Sequence, residues 1–249
     1  MKKLTNKTAI ITGGAGSIGK TTAKLFLEEG AEILLVDLEE EALKSAVAEL
    51  GNKNVSYCVA DVTKADDVKR YAEEAVKKMG KIDIFFNNAG IEGVVKPVTD
   101  YPEDIFDKVM AVNVKGIWLG NKYVVPQMKD GGSIILSSSV AGISGSPNVS
   151  AYVASKHAVV GLMRSLAHEV APNKIRVNTI NPSPVDNRMM RSLEEGFAPG
   201  QGEAAKKGFE QSIPLVGMPH PKKLPSWLFS WPATIANLSR EPPKLLMVV

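Results

Sequence analysis

Tyr152 and Lys156 stand four residues apart in a segment with helical character, so both side chains point to the same face of the helix. A phenol has a pKa of about 10, which is too high for an efficient base at neutral pH. A neighbouring ammonium stabilises the phenolate and lowers that pKa. Ser139, thirteen residues before the tyrosine, could hydrogen-bond to the same substrate oxygen and hold it in place. These three residues predict proton transfer to or from a substrate hydroxyl, with Tyr152 as general acid/base.

A glycine-rich segment near the N-terminus predicts a site for phosphate groups. Its glycines fit the spacing GxGxxG between a predicted strand and a predicted helix. Glycines let the backbone turn tightly and approach a pyrophosphate, and the helix N-terminus offers free N–H groups and a positive dipole end. We therefore expect a dinucleotide cofactor to contact Gly13, Gly14, Gly16, Ser17, Ile18 and Gly19.

Asp37 follows the second predicted strand, eighteen residues after Gly19. A carboxylate at this position accepts hydrogen bonds from the adenosine ribose hydroxyls and would repel a 2′-phosphate. No lysine or arginine lies between Thr12 and Gly19 to attract such a phosphate. The expected cofactor is therefore NAD (NADH) rather than NADP.

Both groups of residues must be positioned by an alternation of short apolar runs and helical patterns over the first 181 residues. The apolar runs are rich in Val and Ile, as buried parallel strands are. Strands are predicted at residues 8–12, 33–36, 55–60, 82–86, 133–137 and 175–180, and helices at residues 20–29, 39–50, 65–78 and 105–128. This alternation predicts an α/β fold, a single-domain Rossmann-type doubly wound parallel sheet with helices on both faces. Residues 182–212, rich in Gly, Pro, Ser and Glu, are expected to form a flap over the substrate.

The composition excludes several other classes of protein. The 249 residues are 44% hydrophobic and 23% charged, which excludes disordered, collagen-like and coiled-coil chains. The apolar stretches are only strand-length, no secretory signal is recognisable, and the single Cys58 cannot form an internal disulfide, so we expect a cytoplasmic protein. No His, Cys or carboxylate cluster has metal-ligand spacing, so no metal is expected. The net charge of +3 is carried entirely by residues 217–249, so neither nucleic acid nor a membrane is an expected partner.

Further motifs, taken in order along the chain, carry a family resemblance. Asp61-Val62 follows the third predicted strand, Asn87-Asn88-Ala89-Gly90 follows the fourth, and the segment from Tyr152 to Lys156 opens a helix after the fifth. Together with Asn113 and Ser139, they resemble the short-chain dehydrogenase/reductase family, in its short single-domain branch. The resemblance covers residues 4–215.

The resemblance implies an NAD-dependent oxidoreductase that interconverts a secondary alcohol and a ketone by hydride transfer. It also implies a small-molecule substrate and a homo-oligomer, either a dimer or a tetramer. The catalytic residues that it implies are Asn113, Ser139, Tyr152 and Lys156, where Asn113 anchors a water chain from the lysine to solvent. The further cofactor contacts that it implies are Asp61, Val62, Asn87, Ala89, Gly90, Tyr152, Lys156, Pro182 and Val185.

Two other functions stay open at this point. One is a 3-oxoacyl-thioester (acyl carrier protein) reductase, although such enzymes mostly use NADPH, which Asp37 disfavours. The other is a dinucleotide-binding protein without turnover, if the unusual C-terminus disables the enzyme. Sugar, cyclic-alcohol and diol dehydrogenases fit the motifs equally well, so the motifs do not name the substrate.

Three local positions depart from the family pattern. Ser17 replaces the middle glycine of the glycine-rich turn, and Ser183 replaces the glycine that usually follows Pro182. Asn187 replaces a threonine that usually contacts the cofactor. Serine and asparagine are tolerable at these positions, but Asn187 could weaken closure around the cofactor.

The tail, residues 216–249, departs from the family completely. It holds six of the fifteen prolines, and a proline inside a helix costs about 3 kcal/mol, so the helix usual at this place cannot form regularly. If the codons from Leu215 onward are read one base out of register, a suitable choice of synonymous codons permits a peptide that ends in Val-Asp-Gly-Gly. Members of the family usually end in the same way. We hypothesise that one nucleotide is missing near codons 215–216, in the gene, the clone or the record. If the tail is real as written, we expect the sheet to lack its last strand and to leave an exposed edge.

Overall fold

The fold is seen in a computed structural model, which describes residues 2–212 and 245–248. The strands are β1 (Thr8–Thr12), β2 (Glu32–Asp37), β3 (Val55–Val59), β4 (Ile82–Asn87), β5 (Met128–Ser137), β6 (Arg176–Pro182) and β7 (Leu245–Val248). The helices are α1 (Ser17–Glu28), α2 (Glu40–Leu50), α3 (Ala65–Met79), α4 (Glu103–Met110), α5 (Ile117–Val124), α6 (Ser150–Glu169), α7 (Arg188–Phe197) and α8 (Gly202–Ser212). In this part of the chain, no helix combines the length and the apolar character that crossing a membrane requires.

The strands form one parallel sheet in the order β3-β2-β1-β4-β5-β6-β7, with helices packed on both faces. Successive side chains of a strand point to opposite faces. Ile10 and Leu34 accordingly pack with α3, α5 and α6, whereas Ile11 and Leu35 pack with α1 and α2. Burying each of these side chains contributes about 1.5–3 kcal/mol relative to exposure. The predicted Rossmann-type doubly wound sheet is confirmed.

The order of the strands reverses between β1 and β4, because β2 and β3 lie on one side of β1 and β4 to β7 lie on the other. In open parallel sheets, ligands bind in the crevice at the carboxyl ends of the strands where such a reversal occurs. The glycine-rich turn follows β1, and the motif that begins at Asn87 starts at the end of β4. The topology therefore brings these two motifs to the two sides of the crevice.

The helix predicted at residues 105–128 is interrupted and shorter than expected. After α4 the chain makes a π-helical turn, Ala111–Gly116, continues as α5, and ends in a 3-10 turn, Val125–Gln127. The prediction of helix up to Met128 is wrong, because β5 begins at that residue. Pro126 explains the stop, since its ring lacks an N–H and clashes with the preceding helical turn.

The expectation that the chain as written lacks its last strand is also wrong. β7 pairs in parallel with β6, with Leu245 opposite Thr179 and Val248 opposite Pro182. The sequence of β7, Leu-Leu-Met-Val, is an apolar run of the kind that parallel strands use. The frame-shift hypothesis concerns codons 215–216, and it lies outside the described residues.

Two helices occupy most of the segment after β6. α7 is capped by Asn187, whose side-chain oxygen accepts a 3.0 Å hydrogen bond from the Met190 backbone N–H, and such a cap contributes about 1 kcal/mol. α8 packs against α7 through Phe197 and Phe209, whose ring centroids lie 5.6 Å apart in an edge-to-face arrangement. The segment therefore has a packed structure of its own beside the crevice.

Candidate active site

The glycine-rich turn after β1 is packed too closely to accommodate side chains. A Cβ on Gly19 would overlap the carbonyl oxygen of Gly13, and a Cβ on Gly14 would lie 2.9 Å from the Cβ of Leu35. Gly13 itself has a φ of +63°, in the left-handed region that favours glycine. The turn therefore exposes backbone, with no side chain at these glycines to hold a ligand away.

α1 begins directly after the turn, and its N-cap residue Gly16 has no side chain to cap it. The first hydrogen bond of the helix runs from the Lys20 N–H to the Gly16 carbonyl, at 2.8 Å. The N–H groups of Ser17, Ile18 and Gly19 precede that bond and have no acceptor within the helix. Together with the positive end of the helix dipole, they could hold the pyrophosphate of a dinucleotide.

Asp37 lies at the end of β2, beside the glycine-rich turn. Its Oδ2 accepts a 3.0 Å hydrogen bond from the Ala15 N–H, and its Oδ1 accepts one of 2.8 Å from the Leu38 N–H. Each oxygen keeps a second acceptor position, which suits the paired hydroxyls of a ribose. The first basic side chain after the turn, Lys20, is paired with Glu49 at 2.6 Å. This arrangement fits NAD better than NADP.

Asp61 and Val62 follow β3 and lie next to Asp37, whose carbonyl accepts a 2.9 Å hydrogen bond from the Ala60 N–H. The Asp61 carboxylate accepts from the backbone and the hydroxyl of the residue two positions later. Val62 packs against the π-helical turn, since a Cβ on Gly116 would lie 3.0 Å from its Cγ2. Both predicted cofactor contacts thus lie on the β3 side of the crevice.

Thr12 and Asn88 join the two sides of the crevice, a role that the sequence pattern did not indicate. The Thr12 hydroxyl accepts hydrogen bonds from the N–H groups of Asn88 and Ala89, at 2.8 and 3.1 Å. The Asn88 side-chain amide donates to the Thr12 carbonyl at 3.1 Å. These bonds fix the loop after β4 against the glycine-rich turn.

Asn87 was expected beside the cofactor, and its side chain forms hydrogen bonds in the interior. It is fully buried, where its Nδ2 donates to the Ile117 carbonyl at 2.9 Å and its Oδ1 accepts from the Thr12 hydroxyl at 3.3 Å. Its amide thus ties β4 to β1 and α5. Ala89 and Gly90 follow on the crevice side, where the Ala89 N–H is held by Thr12.

Tyr152 and Lys156 lie together near the start of α6. The Lys156 Nζ is 5.5 Å from the centre of the Tyr152 ring and donates a 2.9 Å hydrogen bond to the carbonyl of Ser137, the last residue of β5. A Cβ on Gly90 would lie 3.3 Å from the same Nζ. The ammonium is therefore enclosed between the tyrosine, the end of β5 and the loop after β4.

Asn113 lies in the π-helical turn and is completely buried. Its side chain bonds to both backbone groups of Ile91, at 2.8 and 2.9 Å, and donates to the Ser155 hydroxyl at 3.0 Å. That hydroxyl donates in turn to the Tyr152 carbonyl at 2.7 Å. Asn113 thus joins the loop after β4 to α6, and π-helical turns are frequent at functional sites. Its expected role in a water chain stays a prediction.

Burial shifts the two pKa values in opposite directions. Burial raises the pKa of Tyr152 to about 12. A hydrogen bond with Ser139 acts in the opposite direction, and the negative charge of Glu92 acts in the same direction as burial. Burial lowers the pKa of Lys156 to about 8. In the protein without a cofactor, these shifts favour a protonated phenol at neutral pH. That Lys156 lowers the tyrosine pKa together with the positive charge of an oxidised nicotinamide stays a prediction.

Ser139, Pro182 and Val185 line the β5–β6 side of the site. The Ser139 hydroxyl is buried and lies 3.5 Å from the Pro182 carbonyl. Val185 is also buried. Asn187 donates a 3.3 Å hydrogen bond from its Nδ2 to the Ser17 hydroxyl. Two of the three local departures from the family pattern therefore contact each other, and they join α7 to the glycine-rich turn.

Glu92 and Arg188 form an ion pair that the sequence pattern did not predict. The guanidinium donates to both carboxylate oxygens, at 3.0 and 3.3 Å, from the first residue of α7. Glu92 is 6% exposed, whereas the Arg188 side chain is 76% exposed. The sequence offered one indication that Glu92 could have a special role, since it is the only acidic residue among residues 87–99.

Comparison with known proteins agrees with this geometry. The family model described as short chain dehydrogenase matches residues 7–197. The chain belongs to the short-chain dehydrogenase/reductase family. Among curated members, the levodione reductase of Leifsonia aquatica is 37% identical over 218 residues, which are 85% of this chain and 82% of that protein. The predicted family resemblance is thus confirmed, and with it the class of oxidoreductase.

Solved structures of the family share the whole architecture. An NAD+-bound xylitol dehydrogenase superposes with a TM-score of 0.87 at 32% identity and covers 99% of each chain. A 3-ketoacyl-(acyl-carrier-protein) reductase from Brucella melitensis, complexed with NADH, superposes with a TM-score of 0.88 at 29% identity. That match covers 98% of this chain and 97% of the other.

Among residues 2–212 of this short-chain dehydrogenase/reductase, no three His, Cys, Asp or Glu side chains gather in the way a metal ion requires. The expectation of a metal-free site stays a prediction. Near Tyr152 the charged groups described above are the Lys156 ammonium and the Glu92–Arg188 ion pair, whereas Asp37 and Asp61 lie on the cofactor side.

Proposed function

We propose that this short-chain dehydrogenase/reductase interconverts a secondary alcohol and a ketone with NAD(H), and that Tyr152 is its general acid/base. The observation that carries the proposal is the arrangement of Tyr152 and Lys156. A phenol and an ammonium lie side by side at the carboxyl edge of the sheet, with the Ser139 hydroxyl interacting with the phenol. This arrangement suits proton exchange at one substrate oxygen.

In the reducing direction, Tyr152 donates its proton to the oxygen of the ketone. The raised pKa of its phenol keeps that proton in place at neutral pH until the carbonyl oxygen becomes basic. Ser139 hydrogen-bonds to the same oxygen and orients it, and Lys156 supplies positive charge beside the phenolate that forms. The nicotinamide, when bound, supplies the hydride, or accepts it in the reverse direction.

The choice of NAD rests on Asp37. Its half-used carboxylate oxygens suit ribose hydroxyls, and its negative charge opposes a 2′-phosphate. The glycine-rich turn and the free N–H groups at the start of α1 suit the pyrophosphate. The NAD+-bound xylitol dehydrogenase and the NADH-bound reductase among the structural neighbours support the same choice.

The remaining parts of the proposal concern the setting of the site. Residues 1–249 act as one catalytic domain, in which residues 182–212 form a flap over a small-molecule substrate. Support comes from the bond between Asn187 and Ser17 and the ion pair between Arg188 and Glu92, which fasten the start of α7 to both sides of the crevice. A cytoplasmic homo-oligomer remains the expected form.

A second candidate is reduction of a 3-oxoacyl thioester. It is favoured by the likeness to the 3-ketoacyl-(acyl-carrier-protein) reductase, which is complexed with NADH although such enzymes mostly use NADPH. To distinguish the candidates, turnover of a 3-oxoacyl thioester with NADH is compared with turnover of simple ketones or hydroxyketones. The alcohol–ketone function predicts that the ketones or hydroxyketones are turned over faster.

The proposal is tested by following nicotinamide absorbance with the purified full chain. Secondary alcohols are offered with NAD+ or NADP+, and the matching ketones with NADH or NADPH, to the wild type and to Tyr152→Phe. We expect NAD(H)-dependent turnover that falls by at least about a thousandfold in the variant, while NADH still binds. NADH binding with no more turnover in the wild type than in the variant would instead support a dinucleotide-binding protein without catalysis.

A further inference from the structure

We propose, building on the alcohol–ketone function above, that the Glu92–Arg188 pair selects substrates with a second oxygen function near the reacting carbon. Such substrates are diols, hydroxyketones and diketones. The pair would bind the second hydroxyl or carbonyl while the first one reacts at Tyr152.

Glu92 belongs to the loop after β4, which closes on the Lys156 ammonium at Gly90. Glu92 stands two residues after Gly90, whose Cα faces the Lys156 ammonium closely enough that a Cβ would lie 3.3 Å from it. The Glu92 carboxylate is also the anion whose charge raises the pKa of Tyr152. Its exposure of 6% resembles the 8% of Ser139, which interacts with the same phenol. In the proposed complex, a short substrate bound at Tyr152 reaches this buried carboxylate.

The backbone next to Glu92 is tied to the backbone of Tyr152 by a short chain of hydrogen bonds. The Tyr152 carbonyl accepts from the Ser155 hydroxyl, which accepts from the Asn113 amide, and that amide holds both backbone groups of Ile91. Glu92 is the next residue. Because these bonds are 2.7–3.0 Å long and buried or partly buried, they hold the backbone next to Glu92 in place relative to the backbone of Tyr152.

The hydrogen-bonding capacity that remains on the pair determines the kind of group it can bind. Arg188 has five N–H donors and uses two of them on Glu92, and each carboxylate oxygen has accepted only one of those bonds. The pair is neutral as a whole, so it offers donors and acceptors without attracting a free ion. A neutral hydroxyl or carbonyl oxygen satisfies it, whereas a hydrocarbon group there would exclude water and leave the polar atoms unpaired.

The test compares two ketones that share a four-carbon chain. Acetoin has a hydroxyl beside its carbonyl, and butanone has none. Reduction of each by NADH is measured for the wild-type full chain, Glu92→Leu, Arg188→Lys and Lys206→Gln. Glu92→Leu removes the acceptor without leaving a buried charge unpaired, because Arg188 is exposed. Lys206→Gln is the matched control, since it breaks the 3.3 Å ion pair with Asp186 in the same segment without touching Glu92.

We expect the wild type to prefer acetoin in kcat/KM by about tenfold or more. Glu92→Leu should remove most of that preference, Arg188→Lys should weaken it because a lysine cannot make two parallel bonds, and Lys206→Gln should keep it. A wild type without preference, or a Glu92→Leu variant that slows both ketones equally, would overturn the specificity role and make the pair only a fastening for α7. In either case turnover of both ketones would leave the proposed function standing, whereas no reduction of either by the wild type would count against both proposals.

Discussion

The Lys156 ammonium donates a 2.9 Å hydrogen bond to the carbonyl of Ser137, the residue with which β5 ends. A strand in the middle of the sheet is among the most rigid parts of such a fold, so the ammonium is held from the core and not from a loop. The chain after β4 closes on the same group from the other side, at Gly90. The position of the lysine therefore depends on two strand ends meeting at the crevice.

The close approach of Gly90 predicts a specific loss of activity. In Gly90→Ala, the new Cβ would lie 3.3 Å from the Lys156 Nζ and 3.2 Å from the Asn113 Oδ1, so both must move by a few tenths of an ångström. We expect kcat/KM for alcohol oxidation to fall by about ten- to a hundredfold, with little change in thermal unfolding. Steady-state kinetics and a melting curve measure the two effects.

Gly161→Ala serves as the control for this substitution. Gly161 lies on the exposed side of α6, and a Cβ there meets open space. The change should raise the free energy of unfolding by up to about 1 kcal/mol and leave turnover as it is. If Gly90→Ala matched Gly161→Ala in turnover, the enclosed position of the lysine would not matter for catalysis.

Asp37 is expected to decide between the two nicotinamide cofactors. Asp37→Asn removes the negative charge that opposes a 2′-phosphate, so the ratio of kcat/KM for NAD+ over NADP+ should fall by about tenfold or more. The turn should loosen slightly, because an asparagine offers one acceptor where the Ala15 and Leu38 N–H groups now use two. Glu39→Gln, an exposed change two residues later, should leave the ratio unaltered. An Asp37→Asn enzyme with the wild-type ratio would remove the basis for the NAD assignment.

Much of this fold could be predicted from sequence because buried parallel strands are apolar nearly throughout. The first six strands carry that pattern, and the glycine spacing with Asp37 marks the cofactor side independently of any long-range contact. The π-helical turn that holds Asn113 could not be predicted, since its residues continue a helical periodicity until a single turn widens. β7 was also missed, because its partner strand is distant in sequence and its proline-rich surroundings indicated no strand.

At the candidate site, the sequence indicated candidate residues but not their hydrogen-bond partners. Asn87 was expected beside the cofactor, and its amide faces the interior because Thr12 and the Ile117 carbonyl supply its hydrogen bonds there. Glu92 and Arg188 are 96 residues apart, and only the folded chain brings the guanidinium to the carboxylate. Local spacing contains no information about such a pair.

The charge of Glu92 also predicts a change in pH dependence. Three groups act on the Tyr152 phenol: the Ser139 hydroxyl, the Lys156 ammonium, and the Glu92 carboxylate with its partner Arg188. A negative charge disfavours the phenolate and raises the pKa of Tyr152, so Glu92→Gln should lower that pKa. Alcohol oxidation requires the phenolate, and its rising limb in a plot of kcat/KM against pH should therefore move to lower pH.

The same displacement should appear in ketone reduction, which requires the protonated phenol. Its activity should therefore fall at a lower pH in Glu92→Gln than in the wild type. Lys206→Gln, which leaves Glu92 paired, should not displace either limb. A profile of Glu92→Gln that coincides with the wild type, or one displaced to higher pH, would mean that the carboxylate does not act on the phenol.

The central claim is hydride transfer at a site where Tyr152 exchanges the proton, and transfer of a label tests it most directly. A secondary alcohol deuterated at its carbinol carbon is incubated with NAD+ and the full chain, and the NADH formed is analysed by mass spectrometry. We predict deuterium in the NADH from the wild type and none above background from Tyr152→Phe at the same enzyme and cofactor concentrations. NADH formed without deuterium, or equal label transfer by the variant, would contradict the account.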